Sequence, residues 1–299
     1  MATTSPIVNS LPDYVEQNRL PILVKSILGA KTAKYITLQS DVKGPTAINL
    51  LDVTPVIGAA KCGWDEKGET ALTQRVINAK YLEVNMAFCD KNLYGKWAQS
   101  QLGIASGDKN MPFEEEFMDS VAKGIAAQVE KLIWQGDADN AGEFDGFLKL
   151  INGVSPDVTV ASGATAYEAV KAAYMALPAE VAQAEDAVVF VSDATYRAFV
   201  QDLISANMYH YNPNDADGEM FIPGTQCKVV SVNGLNGAAV LAVAGRLSNF
   251  FYGTNALEDA ENVSLWYSKD NKEFRADVSW TSGVQVAFPD EIVIAKTEI

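Results

Sequence analysis

The residues able to do chemistry are few and scattered. The one histidine of the 299-residue chain is His210, within Met208-Tyr-His-Tyr211. Ser/His/Asp triads, imidazole metal sites and histidine general bases would all have to use that one ring. The sequence therefore argues against an enzyme, and His210 reads as a loop or interface residue. Acidic groups gather in two places. Asp137, Asp139, Glu143 and Asp145 surround Gly136, Gly142 and Gly146, which invites a calcium-loop reading. Counted from Asp137, however, the fifth ligand position falls on Ala141 and the twelfth on Leu148, where a bidentate glutamate is required. The stretch from Asn212 to Glu219 has Gly218 at the sixth position but Pro213 at the first. Both read as polar turns. Gly29-Ala-Lys-Thr32 matches the end of a phosphate loop but lacks the earlier glycine and the flanking strand. Glu180, Glu185 and Asp186 fall on what should be a solvated helix end. Cys62, Cys89 and Cys227 are odd in number and form no C-x-x-C pair, which indicates neither a disulfide scaffold nor a zinc knuckle and points to a reducing compartment. No catalytic, cofactor or metal site is expected.

Charge and composition narrow the class further. With 23 basic against 38 acidic side chains the net charge is −15 and the pI about 4.5, the opposite of the basic stripe that nucleic-acid readers carry. An apolar share of 48% is enough for a sizeable core. No apolar run approaches the ~20 residues of a membrane span, and the start, Met1-Ala-Thr-Thr-Ser-Pro, lacks the pattern of a signal peptide. A cytoplasmic site of synthesis is expected, with no membrane partner. The charge is uneven, because residues 1–43 hold five basic side chains (Arg19, Lys25, Lys31, Lys34, Lys43) and three acidic ones (Asp13, Glu16, Asp41).

The elements that must position these residues follow from periodicity. Pro6, Pro12 and Pro21 around the apolar run Leu20 to Leu28 read as an extended arm over residues 1–43 with one short helix possible, either docked on something by residues such as Leu20 and Ile22 or lying as a frayed terminus on its own domain. From 44 to 80, Ala47 to Val53 and Ala71 to Ile77 bracket the turn-rich Cys62-Gly-Trp-Asp-Glu-Lys-Gly, which reads as a long hairpin. Lys61, Trp64 and Lys67 lie near its tip, an odd place for an indole unless a partner covers it, burial in the core of its own domain being the commoner fate of a tryptophan. The clearest helix runs over 112–135, where Phe113, Phe117, Val121, Ile125, Val129 and Leu132 recur at three and four. Glu114 to Glu116 favour its amino-terminal end and Gly136 is the expected C′ residue. Gly124 in its middle suggests that another backbone passes close. Thr165-Ala-Tyr-Glu168 is a capping box opening a helix that ends near Pro178, Ala187 to Val191 is a buried strand, and Ser192 or Asp193 caps a helix carrying Phe199 and Leu203. Strands are expected at 227–232 and 238–244, and near the end Phe274, Ala276, Val278 and Trp280 alternate with polar residues. The class is α+β.

The order of these segments, basic arm, long hairpin, spine helix, glycine-acid loop, α/β insert and closing strands, resembles the major capsid protein of tailed phages, the Hong Kong ninety-seven type. Gly136-Asp137 with Gly142 and Phe144-Asp-Gly-Phe-Leu148 are similar to that family's Gly-Asp-Gly loop and Gly-Ile-Leu turn, with Asp139 in place of the middle glycine. Pro223-Gly-Thr-Gln-Cys-Lys-Val-Val resembles its Leu-x-Gly-x-Pro-Val strand. Gly245-Arg-Leu-Ser-Asn-Phe-Phe-Tyr-Gly253 resembles the Gly-Asp-Phe segment leading out of the insert, and Phe274-Arg-Ala through Pro289 its closing strands.

The resemblance implies an N-arm at 1–43, an extended loop at 44–80, a peripheral domain at 81–153 and 251–299, and an axial domain at 154–250. It implies a subunit that self-assembles through pentamers and hexamers into an icosahedral shell around a double-stranded DNA phage genome, found in the virion and built in the host cytoplasm. Trp64, Lys61, Lys67, Leu20, Ile22, Tyr209 and His210 are the expected inter-subunit contacts. No long scaffolding segment precedes the arm in this sequence, which implies a separate scaffold protein, along with a portal and packaged DNA lying close by without specific binding. An encapsulin-type compartment shell, which shares the fold, and a soluble acidic enzyme are the alternatives.

Overall fold

The strands form three sheets, of five, six and two strands, and one long amphipathic helix packs against the two larger ones. The computed structural model describes residues 7–55, 68–89, 113–208, 220–255 and 263–297. In chain order the elements are helices α1 (Ile7–Gln17) and α2 (Arg19–Ile27), strand β1 (Thr37–Gln39), the pair β2 (Thr46–Pro55) and β3 (Gly68–Ile77), and β4 (Lys80–Cys89). The long helix α3 (Phe113–Gln135) is followed by α4 (Phe147–Ile151), β5 (Asp157–Val160), α5 (Ala166–Met175), α6 (Ala179–Ala182), β6 (Ala187–Val191) and α7 (Asp193–Ser205). Then come β7 (Met220–Phe221), β8 (Lys228–Ser231), β9 (Val240–Arg246), β10 (Phe250–Thr254), β11 (Val263–Ser268), β12 (Glu273–Val286) and β13 (Val293–Thr297).

The five-stranded sheet is built on β12. Its first half pairs antiparallel with β11, its last five residues with β10, and its other edge with all ten residues of β4, while β1 adds parallel to β10. Phe274, Ala276, Val278 and Trp280 point into the core as their alternation requires, and Val84, Met86 and Phe88 of β4 pack against it beside the buried Leu82. Helices α1, α2 and α3 cover this face.

The six-stranded sheet has the order β5-β13-β9-β6-β8-β7. Strand β6 is buried at all five positions. Val189 and Val191 face a core shared with α5 and α7, and Val188 and Phe190 face the core that contains Trp134 of α3. Thr165 and Glu168 make the reciprocal capping box that opens α5, and Ser192 caps α7.

Two expectations are corrected here. The arm is neither extended nor limited to one short helix. Leu11 and Val15 of α1 and Ile22, Leu23 and Ile27 of α2 are buried against α3 and β11, and Lys25 Nζ meets Asp119 Oδ1 of α3 at 2.7 Å. Pro21 is tolerated because it falls in the first turn of α2, where main-chain N–H groups have no helical partner, whereas Pro12 inside α1 costs one main-chain bond. The second correction concerns the closing segment, 251–299, which does not stay with one sheet: β13 crosses into the six-stranded sheet between β5 and β9. The two sheets are therefore joined by a double strand, β9 continuing into β10 beside β12 continuing into β13. At the break in this ladder the buried Asn249 substitutes for it. Its Nδ2 donates to Phe288 O at 2.7 Å and its Oδ1 accepts from Phe288 N at 2.6 Å.

Trp134 sits where both sheets meet α3. Its ring lies 5.4 Å from Phe147, 5.1 Å from Phe190 and 6.3 Å from Phe250, in edge-on or tilted geometry. Truncating so large and fully buried a side chain leaves a cavity that these rings cannot close. Trp134→Ala is expected to lower the unfolding free energy by ~3–5 kcal/mol, read from the urea midpoint of the purified chain; a loss under ~1 kcal/mol would mean that the junction is not structural.

Candidate functional site

Around Trp134 the sequence brings three distant segments together. The indole Nε1 donates to Thr32 Oγ1 at 2.8 Å, and that hydroxyl donates to Glu130 Oε1 at 2.5 Å, while Thr32 N donates to Glu130 Oε2 at 2.9 Å. Gly234, in the turn after β8, lies so close that a Cβ there would stand 2.3 Å from Glu130 O and from the Trp134 ring. Burial pushes the Glu130 carboxyl above the usual carboxylate range, and bonds from Thr32 and Gly234 and the Lys31 charge offset this only in part. Glu130 was not singled out by sequence, although helical phase flags it, because it continues the buried stripe Ala122, Ala126, Trp134 in steps of four.

The glycine-acid loop after α3 is closed by main chain. Gly146 N donates to Gly136 O at 2.8 Å, and a Cβ on Gly136 would fall 2.3 Å from Phe144 O. Gly136 is thus required by close approach of two backbones, not by a left-handed C′ conformation. Its acids are gathered by a lysine. Lys149 Nζ meets Asp137 at 2.5 Å, Asp145 at 2.8 Å and Asp139 at 3.2 Å, and among the described residues no group of His, Cys, Asp and Glu is arranged to hold a metal ion. The Lys149 ammonium, helped by the Asp139 N–H, holds Asp137 below its usual range. Burial works upward on Asp145, but Lys149 and the Ala138 N–H outweigh it and hold it low. The same carboxylates push Lys149 up. The spacing of Asp145 and Lys149, four apart, was the available signal.

The hairpin β2–β3 forms a two-stranded sheet of its own, from Thr46 opposite Ile77 to Pro55 opposite Gly68. Its root crosses β10 and β12 over a cross-strand glycine pair, Gly253 opposite Gly283. A Cβ on Gly283 would stand 2.9 Å from Ala79 Cα, and one on Gly253 3.0 Å from Val42 Cγ2. Gln285 Nε2 donates to Val76 O at 2.6 Å and ties the root down. Along the hairpin Ala47, Asn49, Leu72, Gln74 and Val76 are exposed. Leu72 is 69% accessible, an unusual position for leucine in a strand.

Two cavities flank α3. One of about 430 Å³ is bordered by Gln135, Lys149, Asn152 and Lys296, and its lysines are paired, Lys296 with Asp157 at 2.7 Å and Lys149 as above. The other, about 290 Å³, lies between α3 and β4 beside Gly124. Nothing stands within 4 Å of the Gly124 Cβ position, so the expected passage of another backbone there is corrected to an open groove. Cys227 is buried and its thiol is pushed up to about 12 by that burial, far from a reactive thiolate. Among the described residues no helix is long and apolar enough to cross a membrane.

Of the residues expected to contact a partner, Leu20 is exposed, at 44%. Ile22, expected on the same surface, is instead buried at 5% in the core between α2 and α3, since the helix turns it inward. Lys61, Trp64, Lys67, Tyr209 and His210 lie outside the described residues.

No family model and no curated protein matches the chain. Solved structures do. A chain of the satellite phage P4 procapsid, determined with its size determination protein, superposes with a TM-score of 0.62 over 99% of this chain and 94% of that one, at 10% identity. Mycobacterium phage Ogopogo gives 0.58 over 90% and 92%, at 12% identity. The capsid of an empty GTA particle gives 0.56 over 92% and 90%, at 15% identity. The α+β fold is thus the fold of chains from phage and particle capsids along nearly its whole length.

The Lys149 cluster has a defined pH window. The low values of Asp137 and Asp145 give stability that is present above the ordinary carboxylate range and fades as pH falls through them. The raised Lys149 gives stability that is present below its ordinary value near 10.5 and fades as pH climbs through the raised one. Lys149→Met should therefore weaken amide protection at Ala138 and Gly146 at neutral pH, by an amount that shrinks in high salt. Unchanged exchange at both amides would show that the lysine does not order the loop.

Proposed function

We propose that this chain is the major capsid protein of a tailed phage, a structural subunit without catalytic function that assembles into the icosahedral shell enclosing double-stranded DNA. The observation that carries this is the hairpin. A two-stranded ribbon with strands of ten residues, about 33 Å at ~3.3 Å per residue, is marginal in water on its own, yet it extends from a body whose fold is that of capsid chains. An exposed Leu72 and Val76 on such a ribbon make sense when a second copy covers them.

Closed shells need heterologous contacts that repeat around an axis, so each subunit must carry an element that reaches past its own core. The hairpin is that element, and Lys61, Trp64 and Lys67, in the segment of sequence between its strands, are candidates for the same contact. Leu20, Tyr209 and His210 are further candidates on the same reasoning. The described part of the arm is largely used inside the subunit, which leaves the hairpin as the main reaching element. In this reading the five-stranded sheet with α3 is the peripheral domain, and the six-stranded sheet, with β13 included, is the axial domain. Pentamers and hexamers of this unit build the shell in the host cytoplasm, with a separate scaffold protein and a portal as partners. At net charge −15 the wall avoids tight non-specific phosphate binding to packaged DNA.

Purified chain, alone and with its scaffold, is expected to form rings or closed particles by negative-stain microscopy and sedimentation. Leu72→Asp is expected to leave the thermal midpoint of the unassembled chain unchanged while abolishing particles. Assembly by Leu72→Asp at the wild-type yield would remove the hairpin from the contact, and persistent monomers of the parent chain under every assembly condition would overturn the shell reading.

A further inference from the structure

Strand β4 is an open edge. Among the described residues its ten positions pair only with β12, so the main-chain N–H and C=O groups along its other side meet no strand, and such an edge recruits an extended partner. On the α3 side of that edge lies the groove of about 290 Å³, lined by Val84 and Met86 of β4 and by Val121, Gly124, Ile125 and Gln128 of α3. Gly124 keeps it open, since no atom stands within 4 Å of where a Cβ would be. On the opposite face of β4 a charge goes unanswered. Glu83 accepts from Asn85 but has no cation beside it among the described residues, and Asp277 on the neighbouring strand keeps a buried Oδ1 without a hydrogen-bond partner.

The chain itself carries a strand that fits. Among the described residues β3 pairs only with β2. Between positions 72 and 76 it exposes Leu72 and Val76 and carries Arg75, which has no ion-pair partner among those residues. Only Asn78 and Ala79 separate β3 from β4 of the same chain, and the two do not pair, so the β3 that meets this edge belongs to a second copy. We propose that β3 of one copy adds antiparallel to the open edge of β4 of another, with Arg75 opposite Glu83. In that register Leu72 falls opposite Met86 and Val76 opposite Leu82, all on the groove side, and Thr73 falls opposite Asn85 on the other. A slip of one residue would turn the leucine and valine out of the groove, and a parallel pairing through Arg75 and Glu83 would set Leu72 against Lys80. The proposal rests on the shell reading for its second copy and adds the surface that the hairpin meets.

Cysteine pairs across this ladder test it, in particles and separately in concentrated unassembled chain, each made from an equal mixture of Thr73→Cys and Asn85→Cys chains and oxidised in air. The mixture should give a disulfide-linked dimer beyond that of either variant alone, because directly opposed residues bring their Cβ atoms to about 4.5–5.5 Å. Thr73→Cys mixed with Ala87→Cys, two residues out of register, should give about tenfold less. Arg75→Glu and Glu83→Arg should each lower the particle yield about tenfold without moving the thermal midpoint of the unassembled chain, and the double reversal should restore it. Particles without the linked dimer, as much dimer from the Ala87→Cys mixture, or a double reversal no better than the singles would each overturn this contact and leave the shell reading standing. Asn85→Cys alone dimerising as well as the mixture would show β4 meeting another β4 and would overturn it too. Linked dimer in concentrated chain that never forms particles would support the contact and overturn the shell reading, and the absence of both would overturn both.

Discussion

A single helix end has to serve two sheets at once, and the structure depends on how that conflict is met. The last turns of α3 present Trp134 to the five-stranded sheet through Phe250, to the six-stranded sheet through Phe190, and to α4 through Phe147. An indole can do this because it combines a large apolar area with one polar atom that must be satisfied. The polar atom selects Thr32, Thr32 selects Glu130, and the absence of a side chain at Gly234 lets the six-stranded sheet's turn close over both. Apolar burial and hydrogen bonding thus agree on one arrangement of the arm, the spine helix and the second sheet.

Elements whose reasons are local were legible in the sequence. The spine helix, the capping box at Thr165 and Glu168, the buried strand Ala187 to Val191 and the alternation from Phe274 to Trp280 each carry their own periodicity or cap. The hairpin strands were legible for the same reason. The arm was misjudged because three prolines were weighed above the spacing of Leu11 and Val15 and of Ile22, Leu23 and Ile27, which is helical. Strand β4 was overlooked although Leu82, Val84, Met86 and Phe88 alternate. The partner of β13, the counterion of Asp137 and the contact of Glu130 were beyond reach for another reason, since each joins residues whose pairing only tertiary packing decides.

This division bears on the comparisons. At 10 to 15% identity the chain still superposes on capsid chains over nine-tenths or more of its length. What such a fold needs is positional chemistry: apolar residues at helical or strand spacing, glycine where backbones touch, a cap where a helix begins. Many residues satisfy each requirement, so the pattern outlasts the letters.

The double strand between the sheets has a mechanical meaning. A pair of domains joined by one flexible segment can swing independently, but here two neighbouring strands cross together, and Asn249 bridges the gap in their ladder. Bending one strand alone would shear it against the other, so torque applied to either sheet is carried into its companion as twist along a common axis. The long hairpin is rooted on the five-stranded sheet, so a load taken up along it passes through this pair of strands into the six-stranded one.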